Sequence, residues 1–576
     1  MTTRRSSYLV AKAFRGFLLA SVLTAAASQV GTLIDGLMLS HFINAGAMSA
    51  INLTSPVTQT LFALCSLLGV GGSMLAGIAI GNHDRGKASA LFSTVASAAV
   101  VLGVATAVAC TLWLDPLTRM LCPDEALIGY TRDYLRVIVL AAPAYMLMVV
   151  LQMFVTLDGA PRRVTLAVCL SMVFNLALDY VFIVICRWAM TGAAIATVAS
   201  YLVALAVLAP HFAKPETLKF SLPRTAASLG RITSMGLPFG IATVLIAVQI
   251  LGNNLVAIRY LGEPGIVTLS ICLYLLMFSM IILTGSLESF QPVAAILKGS
   301  GDNRGVALVL GRAYRFLGVS LSLLALLLVL APGFIAMLFG IDSGEPLAMI
   351  RQALPAYAVN ILLQCSIYLL IPVYQIYSHK SLAYIISFGQ PLLPMLFFWL
   401  MAWLATECGA GVNPWWGFAA GQLAVALVLL PFVIARKGSH MPLTLIDTDN
   451  PDELFDISIP PSLQGMNEAL RESDEWMRRQ GIDEKLRVRI QLACEECVKN
   501  IIEHALGRRT RSRIDMRIAL AGEAVKVVIR DEGIPFNPVE NDPGTGMGLM
   551  LVRKTCDAQH YEYLFHQNIL TIEWMR

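Results

Sequence analysis

Charge is scarce in this chain. Only 14% of its 576 residues are Asp, Glu, Lys or Arg, and the mean hydropathy is +0.69. Soluble domains carry about 25% charged residues, so a purely water-soluble protein is excluded. The deficit is uneven. Leu91–Leu114 and Leu317–Leu330 hold no acid or base, whereas Asn467–Arg489 is crowded with both. That step marks a boundary between a lipid-embedded part and an aqueous one. The net charge of +4 is small, and nucleic acid is not an expected partner. A disulfide framework is missing too: the eleven cysteines are scattered through apolar stretches. One CxxC pair, Cys494 and Cys497, lies in a helical pattern without the second pair a zinc site needs, which favours a structural reading. No cleavable leader is expected. Met1–Arg15 is polar and basic, and the apolar run after it is too long and lacks a small-residue cleavage pattern.

What is abundant is long apolar sequence. About 20 such residues cross a bilayer, and twelve candidate spans centre near residues 27, 65, 102, 145, 175, 201, 245, 280, 320, 365, 392 and 425. With the N-terminus taken as cytoplasmic, nineteen Lys and Arg fall on the cytoplasmic side of these spans and six on the other. The expectation is a multi-pass protein of the cytoplasmic (inner) membrane, surrounded by lipid, with both termini in the cytoplasm, where ATP is available. The chain also repeats itself. A shift of 219 residues lays Asp35 on Asn254, Gly46 on Gly265 and Arg85-Gly86 on Arg304-Gly305. Two six-helix lobes, 1–213 and 214–436, follow, with a transport site between them. A polar, proline-containing linker at 437–454 then leads to a soluble domain at 455–576.

Inside the spans, ionisable groups mark function, because a carboxylate at mid-bilayer costs at least about 2.5–3.5 kcal/mol. Asp35 lies mid-span among Val30, Leu33, Ile34, Leu37 and Leu39, and Asp179 lies in the fifth span, four residues after Asn175 and on the same face. Either carboxylate can take up a proton or a small cation and so bias two arrangements of the bundle. The alternative for Asp179 is a helix-stapling hydrogen bond. Glu288 in the eighth span, near Gln291, either binds a cationic substrate or pairs with a neighbour. Gly81–Ala88 nearly spells a phosphate-binding P-loop, but Ala88 replaces the magnesium-holding hydroxyl and the stretch joins two apolar helices. It reads as a membrane-surface turn.

Five stretches carry a family likeness: Gly31-Thr-Leu-Ile-Asp35-Gly, Gly81-Asn-His-Asp-Arg-Gly-Lys-Ala88, Asn175-Leu-Ala-Leu-Asp179, Gly192-Ala-Ala-Ile-Ala-Thr197 and Gln291-Pro292. Through them residues 14–436 resemble the multidrug and toxic compound extrusion (MATE) family. The resemblance implies an ion-coupling network of Asp35, Asn175, Asp179 and Thr197, with Gln152 at its margin. It implies H⁺ or Na⁺ as the coupling ion. Ile246 stands where some members carry a seventh-span glutamate, which weakens a second-lobe sodium site and tilts the balance towards protons.

The last 120 or so residues change period. Leu454–Ile459, Ile514–Ala519 and Val525–Arg530 alternate as strands, and Leu564–Trp574 holds the last strands. Pro461–Arg479, Asp483–Leu506 and Leu549–Cys556 read as helices. The expected architecture is an α+β sandwich. Its chemistry sits in three places. Glu496, Asn500 and His504 share one helix face; Asn500 can hold Mg²⁺ through its amide oxygen, and Glu496 can accept a proton as catalytic base. Asp531 ends a strand, where it can accept an adenine amine, with Gly533 turning the backbone beneath the base. Gly544, Gly546 and Gly548 precede a helix and can bring backbone amides to phosphates.

This set resembles the N, G1 and G2 boxes of the GHKL ATP-binding superfamily, anti-sigma-factor serine kinases in particular. The likeness rests on Glu495-Glu-Cys-Val-Lys-Asn-Ile-Ile-Glu-His504, Asp531-Glu-Gly-Ile-Pro-Phe-Asn-Pro538 and Gly546-Met-Gly-Leu-Met-Leu-Val-Arg-Lys554. It implies ATP and Mg²⁺ as ligands and a short lid. No phosphoacceptor-histidine helix precedes the domain, and one pocket without a P-loop argues against an ATP-driven pump. Two functions remain. One is an antiporter exporting small organic, cationic or amphipathic compounds, regulated by its ATP domain. The other is a membrane-tethered serine kinase that phosphorylates a STAS-type anti-anti-sigma protein, with the helices as ligand sensor.

Overall fold

The structure is a computed structural model describing residues 8–43, 45–122, 125–213, 218–220, 228–435, 446, 454–505, 512–539 and 547–576. Most of the 437–454 linker thus lies outside the described residues, as do Gly544 and Gly546. Contacts divide the chain into two compact units. One gathers Met1–Gly16, Asp302–Val309 and Asp447–Arg576; the other holds Phe17–Gly301 and Leu310–Ile446.

The helical unit follows the apolar runs. Its first half comprises α1 (Tyr8–Phe42), α2 (Ala45–Gly81), α3 (Arg85–Leu112), α4 (Glu125–Leu140 and Ala142–Leu157), α5 (Pro161–Asp179, prolonged by a π turn Tyr180–Ile185) and α6 (Ala189–Leu208). Its second half comprises α7 (Leu229–Val256), α8 (Gly262–Gly299), α9 (Asn303–Leu330), α10 (Gly344–Tyr368), α11 (Lys380–Thr406) and α12 (Trp416–Ala435). Ten stretches are long and apolar enough to cross a bilayer, and the bent pair in α4, kinked by 57°, makes an eleventh. One of the ten, Leu229–Gly299, runs for 71 residues, about 105 Å at 1.5 Å per residue, against a hydrocarbon core of about 30 Å. It holds both α7 and α8, which brings the described spans to twelve. Large apolar side chains such as Val101, Leu166, Leu202, Leu251, Leu323 and Leu427 stand exposed along them, the inverse of a soluble surface and what lipid contact requires.

The internal repeat is visible in the element boundaries. Moved back by 219, the starts of α7 to α12 fall at 10, 43, 84, 125, 161 and 197; α1 to α6 start at 8, 45, 85, 125, 161 and 189. The halves touch through glycine. A Cβ on Gly71 of α2 would lie 2.0 Å from the Ile232 carbonyl oxygen, and one on Gly236 of α7 would lie 1.9 Å from that of Leu67. Ten residues on, Gly81 and Gly299 abut in the same way, at 2.1 Å from Ile296 O and 2.2 Å from Ile78 O. Only residues without a side chain let backbones approach so closely. These contacts close the halves against each other towards the end where α2 and α8 terminate. The P-loop-like stretch lies at that end, where Asp84 caps α3 by accepting from Lys87 N at 2.8 Å; it is a helix–turn–helix junction. In the second half, Phe398 stacks on Phe418 with centroids 4.4 Å apart, beside Trp415.

In the other unit, β1 (Leu454–Ile459), β2 (Ile514–Ala521), β3 (Ala524–Asp531), β4 (Ala558–Leu564) and β5 (Gln567–Met575) form an antiparallel sheet of order β1-β2-β3-β5-β4. The helices are α13 (Leu463–Arg479), α14 (Glu484–Asn500) and α15 (Met547–Thr555). Ser462 caps α13 by accepting from Gly465 N at 3.1 Å, and Asp483 caps α14 from Lys485 N at 3.0 Å. Register places Phe455, Ile518, Val527 and Ile572 in one row across the sheet. That apolar face forms the core with Met466, Trp476, Ile490, Cys494, Cys497 and Trp574. Burial pushes the Cys494 thiol up to about 12 and Cys497 upward as well, as packed, inert cysteines behave. The sequence pattern misplaced one strand: β4 begins at Ala558, not within Leu564–Trp574. Ala558–Leu564 is an edge strand paired only to β5, and its run AQHYEYL lacks the apolar alternation that a two-sided strand shows.

Candidate functional site

Two centres hold the chemistry. The first joins α1, α5 and α6. The Asn175 side chain, with its amide nitrogen turned towards Asp35, donates to that carboxylate at 2.7 and 3.1 Å, while its oxygen accepts from Thr197 N at 3.3 Å. One helical turn along α5, Asp179 is 3% exposed, and its Oδ1 has no hydrogen-bond partner among the described residues. The helix then passes into the π turn Tyr180–Ile185, a distortion frequent beside functional groups. Tyr134 is buried within hydrogen-bonding reach of the Thr197 side chain and in electrostatic range of both carboxylates. Tyr201 lies one turn beyond Thr197 on α6 and in range of Asp35. The sequence reading missed both tyrosines; the i, i+4 spacing of Thr197 and Tyr201 was the available signal. Gln152, half-buried on α4, is not hydrogen-bonded to this cluster. Two carboxylates held among neutral donors suit one proton or one small cation, because like charges so close disfavour joint ionisation.

Glu288 on α8 is solvent-accessible although Leu287, Ser289 and Phe290 around it are buried. Among the described residues it has no ion-pair partner, so the neighbour-pairing reading finds no support there. Gln291 is half-buried one turn further on.

The second centre is a cavity of about 490 Å³ in the sheet-containing unit, lined among others by Glu496, Asn500, His504, Asp531, Phe536, Tyr561, Asn568 and Leu570. The helical face foreseen from sequence breaks at Asn500, where α14 gives way to a π turn, Ile501–Ala505, that carries His504. Asn500 Nδ2 donates to Glu496 Oε1 at 3.2 Å, which leaves the amide oxygen for a ligand. Asp531 accepts from Gly533 N at 2.7 Å and from Asn568 Nδ2 at 2.8 Å, both at Oδ1, so Oδ2 remains for an incoming amine. Tyr561 OH donates to Asn568 Oδ1 at 2.7 Å and orients that amide. Burial raises the Asp531 carboxyl above its ordinary value, against the lowering effect of those two donors. Gly533 is needed for close packing: a Cβ there would sit 2.5 Å from Ala505 Cβ.

Gly548 lies in the first turn of α15. Pro538 and the last turn of α15 are held by hydrogen bonds. Arg553 donates to Pro538 O at 2.8 Å, and Arg489 and Trp574 Nε1 both bond Thr555 O. These residues fit the adenine end of a nucleotide: Asp531 Oδ2 would take the exocyclic amine. Mg²⁺, when bound, would neutralise phosphate charge from Asn500 Oδ1. Asn568 and Tyr561 were not foreseen; the first lies at the start of β5 and the second in mid-β4, and neither belongs to a motif.

The helical unit has the fold of solved MATE-type transporters, and the chain carries a C-terminal ATPase-like domain. Residues 20–181 match the MatE family, and residues 459–574 match the histidine kinase-like ATPase domain. The multidrug export protein MepA of Staphylococcus haemolyticus is 30% identical over 278 residues, covering 46% of this chain and 61% of that protein. MepA of Staphylococcus aureus is 26% identical over 279 residues with the same coverage. The chain thus spans less than two thirds of the length of these relatives. Among solved structures, a MOP superfamily transporter from Pyrococcus furiosus, described as having a binding pocket of reversed polarity, aligns with a TM-score of 0.66 at 22% identity, covering 74% of this chain and 96% of that one. An outward-facing multidrug resistance MATE family transporter aligns with a TM-score of 0.66 at 21% identity, covering 74% and 97%. At such identities the likeness concerns the fold.

Proposed function

We propose that this chain is an ion-coupled exporter of small organic compounds whose C-terminal domain binds Mg·ATP and regulates transport. The lobes are 1–213 and 214–436, both termini are cytoplasmic, and the end where Gly81 meets Gly299 is the cytoplasmic one. The observation that carries the reading is the convergence of Asp35, Asn175 and Thr197 from three helices beside Asp179. Neutralising Asp35, by proton or by cation, alters what Asn175 donates to and thereby the balance between two arrangements of the lobe. Ile246, in place of a second-lobe acid, favours the proton. Glu288, accessible and without an ion-pair partner among the described residues, supplies the anionic contact for a cationic substrate. The test is ethidium export by proteoliposomes under an imposed proton gradient. Asp35→Asn abolishes it, and export at the wild-type rate removes the coupling role.

A second activity rests on Glu496. Its carboxylate lines the nucleotide cavity and is held by Asn500, where it can take the proton of an attacking serine hydroxyl. The partner such chemistry calls for is a small STAS-type protein. Incubation with γ-labelled ATP and a STAS protein encoded beside this chain tests the reading; no label on its serine rejects it.

A further inference from the structure

One face of the five-stranded sheet is polar and yet buried. β1, β2 and β3 place Asp456, Asp515, Arg517 and Arg530 on the side away from the apolar core, and none is more than 6% exposed. A sheet with helices on one side ordinarily leaves the other to water, and charged residues are almost never fully buried unless paired. The cover comes from outside residues 447–576 but from the same compact unit.

Asp302, 0% exposed, lies just after α8 and before α9. Its Oδ2 is 2.5 Å from Arg530 Nη1, its Oδ1 is 3.3 Å from Arg517 Nη2, and Oδ1 also accepts from Gly305 N at 2.7 Å, capping α9. A second attachment stands at the end of β3. Glu532 pairs with Lys12 and accepts from Tyr8 OH at 3.3 Å, while Gln567 Nε2 donates to Leu9 O at 2.8 Å.

The repeat supplies an internal comparison. Asp84 caps α3 in the equivalent turn, but it is exposed and has no ion-pair partner among the described residues. Capping therefore does not require the arginines; their pairing with Asp302 is an addition peculiar to the second half. The position of the clasp along β3 matters too. Asp531 lines the nucleotide cavity, and the residues on either side of it, Arg530 and Glu532, hold the two attachments. A displacement of this strand end by a ligand on Asp531 reaches both. At the other end of the link, Asp302 is three residues beyond Gly299, which helps to close the halves against each other.

We infer that Asp302 with Arg517 and Arg530, seconded by Lys12 with Glu532, is the joint through which nucleotide occupancy acts on the α8–α9 turn and so on the end where Gly81 meets Gly299. This deepens the regulatory reading above and rests on the cavity being an ATP site.

The test is hydrogen–deuterium exchange on the full chain in lipid nanodiscs, with and without Mg·ATP, alongside ATP affinity from a fluorescent analogue. In the wild type, Mg·ATP changes exchange in peptides covering 300–309 and 8–16 by about fivefold or more. Asp302→Asn preserves the cap, because Asn is as good an N-cap as Asp, but removes the charge. It binds ATP as the wild type does, exchanges about tenfold faster in the turn, and no longer responds to nucleotide. Asp84→Asn changes nothing at 300–309. A wild type that binds ATP without any change in the turn overturns the joint, as does an Asp302→Asn chain that still responds. A wild type that binds no ATP removes the reading of the cavity itself, and the joint with it.

Discussion

Gly81 and Gly299 meet backbone to backbone, each where a methyl group would lie only 2.1 or 2.2 Å from the other helix's carbonyl oxygen. Gly81→Ala cannot be absorbed by a rotamer change, because the atoms in the way are main chain. Overpacking of this kind costs about 1–3 kcal/mol, enough to move a two-state population about five- to 150-fold. That end is therefore expected to open. Spin labels at Asn82 and Ser300, in a cysteine-free background, report it as a longer distance by double electron–electron resonance. An unchanged distance would show that the contact tolerates a side chain.

Asn175→Ala should reduce proton-driven ethidium export by about tenfold or more, the loss expected when a hydrogen bond to a charged group is removed. Asn175→Gln, which keeps the amide at a longer reach, should retain part of it. Equal activity of the alanine variant and the wild type would separate Asn175 from the coupling step.

Asp531 yields a prediction about pH. Burial raises its carboxyl in the folded state, so ionised Asp531 works against folding. Its favourable contribution is fully present below the unfolded value of about 3.9 and is lost as pH rises through the raised folded value. Asp531→Asn should therefore melt higher than the wild type at pH 7 without nucleotide, with the difference shrinking towards pH 4. The same variant should lose ATP binding. Calorimetry at the two pH values decides the first part and titration of a fluorescent ATP analogue the second. A variant that melts lower at pH 7 would mean that the carboxylate is paid for by contacts other than its two donors.

Asn500 and Glu496 should separate under mutation. Asn500→Ala is expected to abolish the magnesium-dependent part of ATP binding. Glu496→Gln still accepts from Asn500 and should bind Mg·ATP while losing phosphotransfer to a serine. Titrations with and without Mg²⁺ distinguish the two; identical magnesium dependence in Asn500→Ala and the wild type would remove the metal assignment.

Much of this architecture was written in the sequence because two strong periodicities carry it. Apolar runs of bilayer length placed all twelve spans, and the 219-residue shift anticipated the matching starts of α5 and α11 at 161 and 380. β1 was foreseen residue for residue, since one face of Leu454–Ile459 must enter a core. The less legible parts depend on contacts between distant residues. The π turn at Ile501–Ala505 leaves no mark in composition. Tyr134 joins Thr197 across some 60 positions of sequence, and Asp302 meets Arg530 across 228. A loop aspartate looks like any helix cap until its arginines are seen.

The duplicated scaffold has not kept its chemistry in duplicate. Under the 219-residue shift, Asp35, Asn175, Asp179 and Thr197 correspond to Asn254, Pro394, Phe398 and Trp416. The second lobe therefore offers no acid at those positions, and Phe398 there belongs to the aromatic stack with Phe418. Under the coupling proposed above, charge moved through these positions would travel in the first lobe alone. The halves would then be alike in shape but unlike in electrical work.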